Sequence, residues 1–261
     1  MHILIFTLIS IAATVIGAIC GIGGGIIIKP ALDLFGILSV PVISFLSGCT
    51  VLAMTTYNFA RSKMSGENVV DMRRTTAMAV GAAIGGFLGQ AIFDYLCEFL
   101  PNENTVGAAQ AALLIAMLVV SLIYTLNKEK VKGKDLHSLT LCLTCGLFLG
   151  MVSSFIGIGG GPINIVFLYY LFSMRAKIAV QNSLYIILFS QAASLIKCLV
   201  TGTVPEFNYL ILVFMIIGGI AGAEIGRRIN KKLSDKTVNN LYIALMIVVI
   251  LINVYNIFQY M

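Results

Sequence analysis

The stretch that decides the fold reads CGIGGGIIIKP over residues 20–30, and it returns as IGIGGGPIN over residues 156–164. Each copy places a Gly-x-Gly-Gly-Gly run inside apolar sequence. Glycine in a helix interior costs about 1 kcal/mol relative to alanine, so a run of this kind interrupts a helix. Inside a bilayer, irregular backbone is tolerated only where it is buried in protein or lines a cavity. The two interruptions therefore indicate a solute site to which both halves of the chain contribute.

The composition is typical of a polytopic membrane protein. Of 261 residues, 59% are hydrophobic and only 11% are charged, and the mean hydropathy is +1.00. A soluble domain has roughly 25% charged residues. The net charge of +6 arises from short basic clusters between apolar spans, which indicate cytoplasmic loops rather than a nucleic-acid surface. We expect an all-α, multi-pass protein of a cell membrane, most simply a bacterial inner membrane.

The apolar segments form two similar sets of five. Crossing the bilayer core of about 30 Å takes about 20 residues, and the second segment of each set, 26–38 or 162–173, is too short. The glycine runs join these short segments to segments 3–20 and 138–156, which predicts two hairpins, each either a broken helix or re-entrant. The first predicted repeat, 1–127, has a hairpin at 3–38 and helices at 41–60, 75–97 and 105–126. A linker at 128–137 leads to the second repeat, 138–261, with a hairpin at 138–173 and helices at 178–198, 207–226 and 237–258.

The internal repeat extends beyond the glycine runs. Gly66 and Gly202 are 136 positions apart, the same offset as the two runs. One later helix in each half also has a glycine at every fourth position, on a single helix face. Such a face lets two helices approach closely. These glycines are Gly81, Gly85 and Gly89 in the first half and, at an offset of 137, Gly218, Gly222 and Gly226 in the second.

The basic residues indicate the orientation. Fifteen of the seventeen Lys and Arg residues fall into four clusters. If each hairpin returns to the side that it entered, all four clusters lie in the cytoplasm and both termini lie outside. Each half then has an odd number of crossings, so the two halves are inverted repeats, as in many secondary transporters. The clusters are Arg61, Lys63, Arg73 and Arg74; Lys128, Lys130, Lys132 and Lys134; Arg175 and Lys177; and Arg227, Arg228, Lys231, Lys232 and Lys236.

The glycine tips have the chemistry of an anion site. A short helix begins after each run, and Pro162 stands at a favoured first helical position. The N-terminus of a helix presents unpaired N–H groups and about half a positive charge, and glycine lets a ligand approach them. Two such ends that face each other would bind a small anion. The alternative is that the glycines only permit tight packing.

Polar side chains near the tips extend the candidate site. Lys29 would supply positive charge to an anion, or it would pair with Asp33 four residues later. Asn164 would donate to an oxyanion or cap the backbone, and the polar residues of the following helices would bind substrate or join helices. The candidate substrate-binding residues are Gly21, Gly23, Gly24, Gly25, Lys29, Gly157, Gly159, Gly160, Gly161, Asn164, Ser47, Thr50, Asn58, Asn182, Ser183 and Gln191.

The duplicated glycine hairpins, the glycine-spaced helices and the chain length resemble the sulfite exporter TauE/SafE family of membrane transporters. The resemblance covers essentially the whole chain. It implies transport of small sulfur-containing or organic anions such as sulfite, sulfonates or sulfoacetate. The proline usual after the glycines is Pro30 in the first copy, whereas Val166 stands at the equivalent position in the second.

Other functions are disfavoured by the sequence. It has no HExxH motif, no paired-aspartate motif and no glycine-rich loop ending in Lys-Ser/Thr, so we expect neither an intramembrane enzyme nor ATP-driven transport by this chain. The six cysteines lie in or beside apolar spans and are interpreted as packing residues, so no metal or other cofactor is expected. A secondary transporter working by alternating access is the favoured interpretation, and an anion channel or a carrier of a non-sulfur organic anion is the alternative. A coupling ion, H⁺ or Na⁺, and assembly as a homodimer are both compatible with the sequence.

The topology predicts that loops 61–74, 128–134 and 227–236 share the cytoplasmic face. Single cysteines introduced into these loops, in a cysteine-free background, should be protected from membrane-impermeant thiol reagents in intact cells. Labelling of loop 227–236 from outside would contradict the inverted arrangement, because it would place the second and fourth basic clusters on opposite sides.

Overall fold

The computed structural model describes residues 2–66, 70–100, 103–128, 133–135 and 138–260. Within these ranges every regular element is an α-helix. The helices of the described ranges are α1 (His2–Cys20), α2 (Gly25–Asp33), α3 (Val40–Met64), α4 (Arg74–Phe99), α5 (Glu103–Asn127), α6 (Leu139–Ile156), α7 (Gly161–Phe172), α8 (Ala176–Thr201), α9 (Tyr209–Lys232) and α10 (Asp235–Tyr260).

Eight helices in the described part of the chain are long and apolar enough to cross a membrane. The other two, α2 with 9 residues and α7 with 12, are the short second segments predicted from the sequence. At 1.5 Å per residue they reach only about half of the bilayer core. The largest shift from a predicted end is in α9, which continues to Lys232. Its last turn is basic, so the helix extends beyond its apolar stretch into the polar interface.

Each short helix folds back beside the long helix that precedes it. In the first hairpin, Ile28 and Leu32 of α2 pack with Phe6 and Ala13 of α1. α10 secures both short helices from the side. The hydroxyl of Tyr242 donates to the Pro162 carbonyl oxygen at 2.8 Å, and the amide of Asn256 donates to that of Pro30 at 2.9 Å.

The glycine-spaced helices pack across the two halves of the chain. α4 lies along α6, and α9 lies along α1. A methyl group on Gly85 would stand 2.0 Å from the carbonyl oxygen of Leu147, and one on Gly222 would stand 2.6 Å from that of Ile11. The predicted close helix approach is therefore confirmed. The two carbonyl groups are themselves 136 positions apart, so the two contacts are equivalent in the predicted repeats.

The described members of the basic clusters meet at one end of the bundle. The guanidinium of Arg74 donates to the carboxylate of Asp135 at 2.8 Å, and the ammonium of Lys128 donates to the side-chain oxygen of Asn239 at 2.6 Å. Lys177 donates to the carbonyl oxygen of Lys231. Lys130 and Lys132 of the second predicted cluster lie outside the described residues.

Candidate functional site

The two glycine tips lie against each other, backbone to backbone. A methyl group on Gly161 would stand 2.0 Å from the carbonyl oxygen of Ile22, and one on Gly25 would stand 2.5 Å from that of Ile158. These contacts are reciprocal, since Ile22 and Ile158, like Gly25 and Gly161, are 136 positions apart. Only glycine, which has no Cβ atom, permits so close an approach.

One branched apolar side chain from α3 and one from α8 pack against both glycine tips. Val51 and Ile187 are again 136 positions apart, and both are 0% exposed. A methyl group added to Gly23 or to Gly159 would contact both of these side chains. The centre of the molecule is therefore an apolar contact between two interrupted helices and two continuous ones.

The second tip presents the first turn of α7 as an array of N–H groups. Gly159 and Gly160 have φ angles of +82° and +79°, a left-handed conformation that favours glycine. The N–H of Asn164 is the first to bond within the helix, to the Gly160 carbonyl, so the N–H groups before it, at residues 159–161 and at Ile163, have no intrahelical partner. Residues 23–25 form the comparable turn at the start of α2. Both N-terminal ends point their partial positive charge at the tip region.

Two cavities lie beside the tips, at opposite ends of α3 and α8. The large cavity has a volume of about 310 Å³, and Ser44, Gly48, Gly157 and Gln191 are among its lining residues. The small cavity has a volume of about 50 Å³. The small cavity is lined by Ala18, Asn58, Phe59, Ser62, Val70, Val180, Gln181, Leu184, Tyr185, Arg227, Asn230 and Lys231.

The two cavities are built from equivalent positions. Ser44 and Gly48 of the large cavity correspond, 136 positions later, to Val180 and Leu184 of the small one. In the glycine-spaced helices the offset is 137, so Asp94 of the large cavity corresponds to Lys231 of the small one. Equivalent residues therefore line a cavity on each side of the tips. The two cavities differ in volume, and they carry opposite charges at this one pair of positions.

The large cavity brings together part of the predicted site. Gly157 and Gln191 line it directly. Gln191 is only 2% exposed, and its Nε2 has no hydrogen-bond partner in the described part of the chain. Lys29 does not line the cavity itself but contacts a lining residue, since its ammonium donates to Ser44 Oγ at 3.2 Å. That ammonium also lies 3.9 Å from Asp33, so the predicted ion pair is present.

Three further candidates lie between the helices rather than in a cavity. Ser47 and Ser183 are fully buried, one turn before Val51 and Ile187, and are equivalent at an offset of 136. Their hydroxyl groups have no partner in the described structure, and neither has Oδ1 of Asn164 beside the second tip. Buried polar atoms without partners are costly, so these groups are candidates for a ligand or for water.

Two predicted site residues are instead engaged in joining helices. Asn182 accepts bonds from the Thr75 hydroxyl at 2.6 Å and the Asp71 N–H at 3.0 Å, which ties α8 to the start of α4. Thr50 donates to the carbonyl oxygen of Leu46 and packs its methyl group against α9. Neither is among the lining residues of the two cavities. Asn58 lines the small cavity and donates to its own helix.

The sequence interpretation missed a polar network at the large cavity. Lys197 of α8 forms an ion pair with Asp94 of α4, and Gln90 and Ser194 continue the network. One signal could have found it. Lys29 and Lys197 are the two basic residues that fall in none of the four loop clusters.

The cysteines lie in the interior of the bundle or at its edge. Cys20, Cys142 and Cys198 are buried, and Cys49, Cys97 and Cys145 are half-buried. In the ranges that the structure describes, no group of three or more His, Cys, Asp or Glu residues could hold a metal ion.

A family model described as sulfite exporter TauE/SafE matches residues 6–253, a range that includes both tips and both cavities. The chain belongs to the sulfite exporter TauE/SafE family. The resemblance drawn from the glycine hairpins is thereby confirmed. Members of the TauE/SafE family are membrane transporters, so this chain is a multi-pass membrane protein whose substrate is a small molecule.

Relatives in distant organisms are similar along almost the whole chain. The probable membrane transporter protein YunE of Bacillus subtilis is 22% identical over 91% of this chain and 92% of its own length. A probable membrane transporter protein of Haemophilus influenzae is 24% identical over 97% and 98%, and one of Methanocaldococcus jannaschii is 25% identical over 85% and 84%. No solved structure matches the chain significantly.

The tip contact predicts the effect of one added methyl group. Gly161→Ala should lower the stability of the purified protein by about 1–3 kcal/mol, because the new methyl meets rigid backbone of the other tip. Ala109→Val, which adds more bulk at an exposed position of α5, should change it by no more than about 0.5 kcal/mol. Thermal unfolding in detergent measures both. Equal melting temperatures for Gly161→Ala and the wild type would contradict the tip contact.

Proposed function

We propose that this chain is a secondary transporter that moves small anions by alternating access, and that its substrates are sulfur oxyanions such as sulfite, sulfonates or sulfoacetate. The observation that supports this most strongly is the pair of equivalent cavities on either side of the tip contact. The TauE/SafE family name supports the sulfur chemistry. The protein acts as a carrier and not as an enzyme.

Alternating access follows from the way in which the two cavities are constructed. Equivalent residues line both, yet one holds about 310 Å³ and the other about 50 Å³. If inverted repeats exchange their conformations, the large cavity closes and the small one opens. The structure then corresponds to one of two related states. The apolar contact of Val51 and Ile187 with the tips separates the two cavities.

The anion binds at the inner end of the large cavity. Gln191 Nε2 is a buried donor without a partner, and Gly157 brings the second tip into the same wall. The N–H groups at residues 159–161 add partial positive charge from the helix end. Lys29 contributes through Ser44, at a position where its charge is already balanced by Asp33.

The orientation follows from the positive-inside rule. The end of the bundle with the basic clusters faces the cytoplasm, and the small cavity, lined by Arg227 and Lys231, opens toward it. The large cavity, lined by Glu98, Thr203 and Pro205, opens outside, where both termini lie. In a bacterial cell we expect the protein to lie in the inner membrane.

Flux of sulfite into proteoliposomes tests the proposal. The wild type should show saturable uptake that is accelerated by unlabelled sulfite inside. Gln191→Leu should weaken sulfite binding by about tenfold or more, because it removes a buried hydrogen bond to a charged ligand. Gln191→Glu, which has nearly the same shape, should weaken it further by placing a negative charge in the site.

Three outcomes would contradict the proposal. Flux that does not saturate and shows no exchange stimulation would indicate an anion channel. Uptake of carboxylates but not of sulfite or sulfonates would indicate a non-sulfur carrier. Unchanged sulfite affinity in both Gln191 variants would place the site elsewhere.

A further inference from the structure

A buried ion pair joins α4 to α8 at the large cavity. Asp94 lines this cavity, and its carboxylate accepts a bond from the ammonium of Lys197. Lys197 is 7% exposed and lies within a helix that is long and apolar enough to cross the membrane. Both residues lie about one turn before the ends of their helices, and a charged pair that faces a cavity there is a candidate for a role in transport.

The carboxylate of Asp94 is fully occupied. Its Oδ1 accepts from Gln90 Nε2 at 2.8 Å, and its Oδ2 accepts from the Thr203 hydroxyl at 3.1 Å as well as from Lys197. Gln90 in turn accepts from Ser194 at 2.8 Å. Every group around the carboxylate is thus a donor. These donors hold Asp94 as a carboxylate while Lys197 is its partner, so proton uptake requires that the ammonium first turn to another anion.

The second intramembrane pair, Lys29 and Asp33, lacks this access. Both of its side chains are buried, and neither lines the large cavity. Asp94 is therefore the intramembrane carboxylate that a solute in the large cavity can reach. Glu98, one turn further along α4, also lines the cavity, but its side chain is exposed at the outer rim.

We propose that the substrate anion replaces Asp94 as the partner of Lys197, and that one proton binds to Asp94 in the same step. This inference rests on the proposed anion transport and specifies its coupling ion. Before binding, the pair consists of a Lys197 ammonium and an Asp94 carboxylate, with no net charge. Afterwards the ammonium faces the anion, and Asp94 is a neutral carboxylic acid. The proton comes from the outside solution by way of the cavity, and the site remains neutral when the anion carries a single charge.

The coupling arises from charge balance. Without the proton, one ammonium would face two negative charges among largely buried side chains, and the uncompensated charge is unfavourable. The other titratable groups that line the cavity near Asp94 are Cys198 of α8 and Cys97 and Glu98 of α4. α3 contributes Pro41, Ser44, Phe45 and Gly48, which do not titrate. Binding of the anion and of the proton therefore favour each other, and transport of a monovalent anion is electroneutral anion–proton symport.

Calorimetry of methanesulfonate binding tests the coupling. Methanesulfonate keeps a fixed charge near pH 7, so any proton taken up must bind to the protein. The binding enthalpy, measured in buffers of different ionisation enthalpy, gives the number of protons taken up per anion. The wild type should take up close to one proton, Asp94→Asn none, and Glu98→Gln, the matched acidic control on the same helix, close to one. A wild type that takes up no proton, or an Asp94→Asn variant that still takes up one, would overturn the inference.

Exchange in proteoliposomes separates this inference from the proposed function. Asp94→Asn should retain exchange of labelled against unlabelled methanesulfonate but lose accumulation driven by a proton gradient. Lys197→Gln should weaken binding about tenfold or more, and Lys197→Arg should restore most of it. Exchange by the wild type without proton uptake would overturn the coupling alone. No transport of any sulfur oxyanion by the wild type would overturn both proposals. The proton count of the wild type decides the question even if a variant fails to fold.

Discussion

The backbone contact between the two glycine tips is the constraint on which the rest of the structure depends. Gly161 meets the carbonyl of Ile22, and Gly25 meets that of Ile158, at distances that no side chain would allow. Two helices must therefore be interrupted at the same place. Interrupted helices leave N–H groups without partners, and these can be tolerated in a membrane only where protein or a cavity surrounds them.

The surrounding helices supply that environment. α4 lies along α6 and α9 along α1, so each half of the chain supports the hairpin of the other half. α10 adds hydrogen bonds to the carbonyl groups of Pro30 and Pro162. Helices α3 and α8 line both cavities, and their side chains Val51 and Ile187 pack against the tips. Under the proposed alternating access, one cavity would widen as the other narrows.

The sequence was sufficient to predict the hairpins and the glycine contacts, but it was much less informative about the residues of the site. In apolar sequence, glycine runs break helices and four-residue glycine spacing brings helices together, so the close approach of α4 and α9 to their neighbours could be predicted. Polar residues in apolar helices are ambiguous, because the same side chain can bind a solute or join helices. Asn182 and Thr50 were predicted in the site; Asn182 bonds α4 and Thr50 bonds its own helix, and their role in binding stays a prediction. The Asp94–Lys197 pair was missed because it forms only through the packing of α4 on α8.

The most direct test of this account is to locate the bound anion. Crystals of the protein grown with selenite, a heavier oxyanion of the same shape as sulfite, would give an anomalous selenium signal. The account predicts a single strong peak whose oxyanion lies within hydrogen-bonding distance, about 3 Å, of Gln191 Nε2 and of the backbone of the second tip. A strong peak found only at the cytoplasmic loops, with none at the large cavity, would contradict it.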